Sequence, residues 1–132
     1  MAVTTSSAEK IVDDVLSIYD GVLGISIMNM KGNILAANSK EAFREAYKVT
    51  EDRAAYGGTL AVAALNVVNE TRNIFGRPKA IITIHENCKL MLLPLPSFQL
   101  LVGLVLEHSV NVEDKIANEL EILVADIMIK AQ

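Results

Sequence analysis

The sequence predicts an α+β domain whose sheet carries helices on both faces. Apolar residues recur at helical intervals in three separate segments and at strand-like spacing in five, in the order α-β-β-α-β-β-β-α. The last two strands are apolar at nearly every position, as strands are when both faces of their sheet are covered. At 132 residues the chain is expected to be a single domain, 1–132.

Ser6 and Glu9 have the capping-box spacing, and Ile11, Val12, Val15, Leu16 and Tyr19 continue a helical stripe that Asp20-Gly21 ends. A first helix over residues 7–19 is the expectation. VLGISIMNM (22–30) then alternates around Gly24 and Ser26, Lys31-Gly32 makes a tight turn, and NILAANS (33–39) returns as the second strand of a hairpin. SKEAFREAYK (39–48) is charged, with Phe43 and Tyr47 one turn apart, and reads as a loop or a short amphipathic helix. Thr50 is placed to cap a long middle helix over 51–75, which Gly76 and Pro78 stop. Strands follow at 79–85, 89–95 and 98–107, with Glu86-Asn87 and Pro96-Ser97 as their turns. Asn111 is placed to cap a last helix from Val112, with Glu113 and Asp114 at its positive end and Ile116, Leu120, Leu123 and Ile127 as its buried stripe.

Several function classes are excluded at this level. The chain is 52% hydrophobic and 21% charged, an apolar excess that needs cover. A spanning helix is not that cover: the longest weakly polar run, 90–106, is interrupted by Pro94, Pro96, Ser97 and Gln99 and is shorter than the ~20 residues a bilayer needs. The opening MAVTTSSAEK lacks the basic-then-apolar pattern of a secretory signal, and one cysteine gives no disulfide framework, so a cytoplasmic protein is expected. A net charge of −4 without basic runs argues against nucleic acid. No phosphate loop, dinucleotide fingerprint, HExxH or GxSxG occurs, so neither an enzyme nor a cofactor is expected.

The chemistry-bearing residues that remain are few. His85 and Cys88 face each other across a two-residue hairpin, and the next strand returns His108 toward Cys88, three zinc-capable groups without a fourth ligand or a second shell. Strand-end neighbours with no metal is the favoured reading, and a Cys–His nucleophile pair lacks an orienting third residue. Arg53, Arg72 and Arg77 read as solvated charges around the middle helix, although an arginine finger toward a GTPase is an alternative. Glu113, Asp114, Glu119 and Glu121 read as a solvated face.

The stretch AAYGGTLAVAALNVVN (54–69) poses a sharper question, because sixteen residues pass without a charge. A helix lying on a sheet needs one apolar stripe and a polar back. Here Leu60, Ala63, Val67 and Ile74 make one stripe, and Ala54, Gly58, Ala61, Leu65, Val68 and Phe75 make another. One stripe faces the sheet and the second faces a partner or a second copy, unless residues 39–48 cover it. Two glycines inside a helix cost about 1 kcal/mol each relative to alanine, and close backbone approach is a reason to keep them.

The element order, the hairpin VLGISIMNMKGNILAANS and the block PKAIITIHENCKLMLLPLPSFQLLVGLVLE resemble the roadblock (dynein light chain) domain family over residues 7–130. The resemblance implies a profilin/longin-like fold: a five-stranded antiparallel sheet with the middle helix on one face and the terminal helices on the other. It implies a homodimer formed through the middle helix and third strand, at Gly58, Ala61, Leu65, Val68, Ile81 and Thr83, and a scaffold or regulator of a small Ras-like GTPase. Residues 39–48 are longer than this family usually has between second strand and middle helix. The expectation is therefore a non-enzymatic, cytoplasmic interaction module; the alternatives are a PAS- or GAF-like small-molecule sensor with a pocket between sheet and helix, or a metal- or thiol-binding protein using Cys88.

Overall fold

A computed structural model describes residues 3–47, 51–109 and 111–131. The cap expected at Thr50 and the side chain of Arg53 lie outside what is described. The chain runs α1 (Thr5–Ile18), β1 (Val22–Asn29), β2 (Ile34–Ser39), α2 (Glu41–Tyr47), α3 (Glu51–Asn69), α4 (Arg72–Phe75), β3 (Ile81–Ile84), β4 (Cys88–Leu95), β5 (Leu100–Glu107) and α5 (Glu113–Lys130). The strands make one antiparallel sheet in the order β2-β1-β5-β4-β3. The expected α+β class and element order hold, with two short helices, α2 and α4, added on either side of α3.

Local chemistry explains where the boundaries moved. Helix α1 begins earlier than the Ser6 box implied, because the Thr4 hydroxyl accepts the Ser7 amide at 3.1 Å and caps first. The long middle helix is divided: α3 stops at Asn69, and the Thr71 hydroxyl donates to the Val68 carbonyl at 2.7 Å, a side-chain bond that competes with the helical ladder. Gly76, at φ 83°, closes α4. Helix α5 carries no side-chain cap from Asn111. The Asn111 Oδ1 instead accepts from Lys89 Nζ at 3.0 Å, and the same ammonium donates to Glu113 Oε1 at 3.1 Å. A lysine on β4 therefore anchors the start of α5.

Strand β1 carries a register shift between Val22 and Gly24 in its pairing with β5. The extra residue lets Val22 and Ile25 share one face although three positions separate them. That face, with Ile27, Leu104 and Leu106, packs against Ile11 and Val15 of α1 and against Ile116, Leu120 and Val124 of α5 in one large core. Each fully buried aliphatic side chain here contributes about 1.5–3 kcal/mol. At the edge of this core the Tyr19 hydroxyl donates to the Glu119 carboxylate, and the Lys115 ammonium stands 5.7 Å from the Tyr19 ring centre. Burial, and then the bond to Glu119 and its charge, push the Tyr19 pKa up to about 12. The acidic face of α5 is thus only partly solvated: Glu113 and Glu119 hold other elements. No helix among the described residues is long and apolar enough to cross a membrane.

Lys89 is 7% exposed, and its partner Glu113 leaves Oε2 buried without a hydrogen bond. Glu113's own backbone amide, ahead of Lys89, holds its carboxyl below the usual range against the opposing effect of burial. Because folding lowers this pKa, the stabilisation is complete above the ordinary value near ~4.3 and is lost as the pH falls through the lower folded value. Lys89→Met should cost roughly 2 kcal/mol near pH 7, from two charge-assisted hydrogen bonds, and less in acid. Denaturant melts of both proteins between neutral and acid pH check this; an equal difference at every pH contradicts it.

Candidate functional site

The second face of the sheet is covered only in part, and the strand register shows where. One row across it reads Ser39, Gly24, Val105, Leu90, Thr83, and the next reads Ala37, Ser26, Gly103, Leu92, Ile81. A third row holds Ile34, Met28, Leu101 and Pro94. Helix α3 sits toward this third row, where Leu65 joins Met28, Leu92 and Leu101 in a second, smaller core with Ala61 and Val62 beside it. The first two rows have glycine or serine on the central strands. They stay open as a groove of roughly 730 Å³ between the sheet, α3 and α2.

The glycines of α3 find their use here. A Cβ built on Gly58 would overlap the carbonyl oxygen of Gly32, and one built on Gly32 would stand 2.7 Å from the Gly58 carbonyl oxygen. Gly32, at φ 85°, is the turn of the β1–β2 hairpin. The close approach that the sequence calls for is therefore made first within this chain, helix backbone against hairpin turn. This also decides which stripe faces inward. Gly58 and Leu65 are buried and Ala61 is half-buried against the chain's own sheet, whereas Leu60 and Val67 are 52% and 71% exposed. Of the other residues that the resemblance places at a dimer surface, Val68 and Ile81 are half-buried and Thr83 is exposed.

Helix α2 does not cover the outward stripe. Lys40, just before it, donates to the carbonyls of Tyr19 and Asp20 beyond the end of α1, at 3.2 and 2.9 Å. Arg44 Nη1 donates to Asn38 Oδ1 at 2.7 Å and to the Ser39 carbonyl at 2.9 Å. Lys40 ties the start of α2 to the turn between α1 and β1 and Arg44 ties it to β2, and Phe43 and Arg44 wall one end of the groove. Beyond α3, Ile74 and Phe75 of α4 are likewise 76% and 80% exposed.

The histidine and cysteine trio is placed as its spacing implied at one point: the His85 amide donates to the Cys88 carbonyl at 2.9 Å across the hairpin. Its ring lies 2.9 Å from the Thr83 hydroxyl, and Cys88 pairs with Glu107 on β5. Burial pushes the Cys88 thiol pKa up, which disfavours the thiolate that binds metals and attacks electrophiles. Among the described residues no three His, Cys, Asp or Glu side chains come together to hold an ion. Arg72 and Arg77 are exposed near α4.

No family model matches the chain, and no curated protein matches it in sequence. Solved structures do match. The roadblock/LC7 domain from Streptomyces avermitilis aligns with a TM-score of 0.70 at 9% identity, over 93% of this chain and 96% of that one. An MglB with tetrameric arrangement aligns at 0.69 and 14% identity, over 93% and 91%. The gliding protein MglB from Thermus thermophilus aligns at 0.67 and 14% identity, over 92% and 90%. At such identities the likeness is one of fold, and the fold is that of the roadblock domains, of profilin and longin type.

If Gly58 is kept for the contact with Gly32, alanine there should destabilise, although alanine is the better helix former by about 1 kcal/mol. Gly58→Ala should lose roughly 2 kcal/mol net, because the clash is with backbone rather than a flexible side chain. Chemical denaturation monitored by circular dichroism reads this directly; a stabilised G58A would mean that helix and turn are not in contact.

Proposed function

We propose that this chain is a non-enzymatic, cytoplasmic interaction module working as one roadblock-like domain, a homodimer that scaffolds or regulates a small Ras-like GTPase. The observation that carries this reading is the apolar surface left by α3 and α4, where Leu60, Val67, Ile74 and Phe75 stand outward with nothing of the described chain over them. Contiguous apolar surface of this kind marks a place where another protein binds. The tetrameric arrangement named for a matched MglB supports self-association, and the GTPase is drawn from the family resemblance.

In this reading the interface is centred on the outward stripe of α3, with Val68, Ile81 and Thr83 at its margin. Gly58, Ala61 and Leu65, buried or half-buried against the sheet, act from beneath by fixing the helix on it. A two-fold axis brings the same stripe from both copies together, so that one substitution is felt twice.

Val67→Glu should then place two carboxylates in a poorly solvated contact, where like charges cost several kcal/mol. Val67 is 71% exposed in the single chain, so the fold itself should tolerate the change. Light scattering is expected to give a dimer for the wild type and a monomer for V67E, with unchanged circular dichroism. A monomeric wild type, or a V67E that stays dimeric, removes this interface. Ala61→Glu, by contrast, should unfold rather than split the protein, because its charge would lie between helix and sheet.

The purified protein should hydrolyse neither GTP nor ATP above a blank. A rate that survives repurification and vanishes in one point mutant would reveal an active site and overturn the non-enzymatic reading.

A further inference from the structure

The groove beneath α3 is a second surface, which meets the outward stripe at Leu60, and its shape is set by register. Gly24 and Gly103 lie on the paired strands β1 and β5, in adjacent rows, where the strand neighbours at the same level are branched: Val105 and Leu90 in one row, Leu92 and Ile81 in the other. The floor is therefore sunk along the middle of the sheet. A Cβ at Gly103 would stand 2.8 Å from the Ser26 Oγ, so even alanine would begin to fill the depression. The roof on α3 is Gly58, Ala61 and Ala64, with Leu60 at its border. A cleft of roughly 730 Å³ lined this way lies within the ~300–1,000 Å³ typical of small-molecule sites.

Its polar groups are few and unevenly placed. Among the described residues that line it, Arg44 is the one formally charged side chain, and it stands at the α2 end. The acceptors it has found, the Asn38 amide oxygen and the Ser39 carbonyl, are neutral, and both are reached by a single nitrogen. They aim the guanidinium without cancelling its charge, and the guanidinium's remaining donors are suited to a carboxylate. Apolar depth with one cation at its end is the complement of a single apolar chain carrying an anionic head.

We propose that this groove binds a single-chain carboxylate amphiphile, its hydrocarbon lying over Gly24, Ser26 and Gly103 and its carboxylate meeting Arg44. The site is distinguishable from the dimer contact: Leu60, Ile81 and Thr83 border both, but Ala64 and Arg44 line the groove and Val67 does not.

Calorimetric titration of the full chain with sodium dodecanoate, below its micellar concentration, tests this beside dodecanol and dodecyltrimethylammonium. Saturable binding of one dodecanoate per chain is expected, weaker by at least tenfold in Arg44→Gln, with dodecanol affinity the same in both proteins and no binding of the cationic amphiphile. Ala64→Phe, which fills the groove from the helix side, should abolish binding while circular dichroism and dimer mass stay unchanged. Absence of saturable dodecanoate binding to the wild type overturns the proposal, as does equal affinity for the cationic amphiphile or an R44Q variant that binds like the wild type. If A64F turns monomeric, the groove is occupied by a second copy and the proposal fails. Arg44 is exposed, so R44Q should fold, and its titration decides the matter even if A64F unfolds. Light scattering on V67E separates this outcome from the dimer reading, since a monomer that still binds dodecanoate keeps the site and the interface distinct.

Discussion

The backbone contact between Gly58 and Gly32 fixes the arrangement of everything on the second face of the sheet. A helix lying over side chains of ordinary size keeps its axis at a distance those side chains set. At this one point there are none on either partner, so α3 settles onto the hairpin turn and stays close to the sheet there. Its inward stripe follows from that seating, and so does its outward one. The groove is what remains where the helix no longer lies directly over the strands.

Much of the architecture can be read from the residues alone, because alternation, turns and continuous apolar runs are local signals. The hairpin around Lys31-Gly32 and the five strands of the sheet are legible in that way, whereas the cover expected over both faces of β5 is incomplete where Gly103 and Val105 floor the groove. The phase of α3 is not. Its residues are apolar on almost every side, so periodicity cannot tell the face that meets the sheet from the face that meets a partner. The contact that settles this is with Gly32, on another element. The cap expected from Asn111 failed for a related reason: the residue that claims its side chain, Lys89, lies on a different strand, and nothing in its apolar neighbourhood marks it as buried. The groove is legible only once β1 and β5 are paired, since Gly24 and Gly103 become neighbours through register rather than sequence.

The two faces of α3 have different chemistry. Outward it offers the branched apolar groups of Leu60 and Val67, the kind that exclude water from a protein contact. Inward, beside Leu65 and Val62, it offers Gly58, Ala61 and Ala64, which leave room. One helix thus forms both the wall of a cavity and the centre of a surface for another chain. From the opposite end Arg44 holds α2 against β2 and Lys40 holds its start to the α1–β1 turn, so that the groove has a closed end as well as a floor.

The sheet order has a consequence for how the molecule assembles. Its central strand, β5, and the neighbouring β1 come from opposite ends of the chain, residues 22–29 pairing with residues 100–107. Hairpins β1–β2 and β4–β5 are local in sequence, but each leaves an apolar edge uncovered until the other is in place. Joining them closes the longest loop between paired strands, and topologies dominated by such distant pairings fold slowly. Because α1 and α5 rest on those same strands, the large core is completed only at that step. The chain must therefore be nearly whole before its principal source of stability exists.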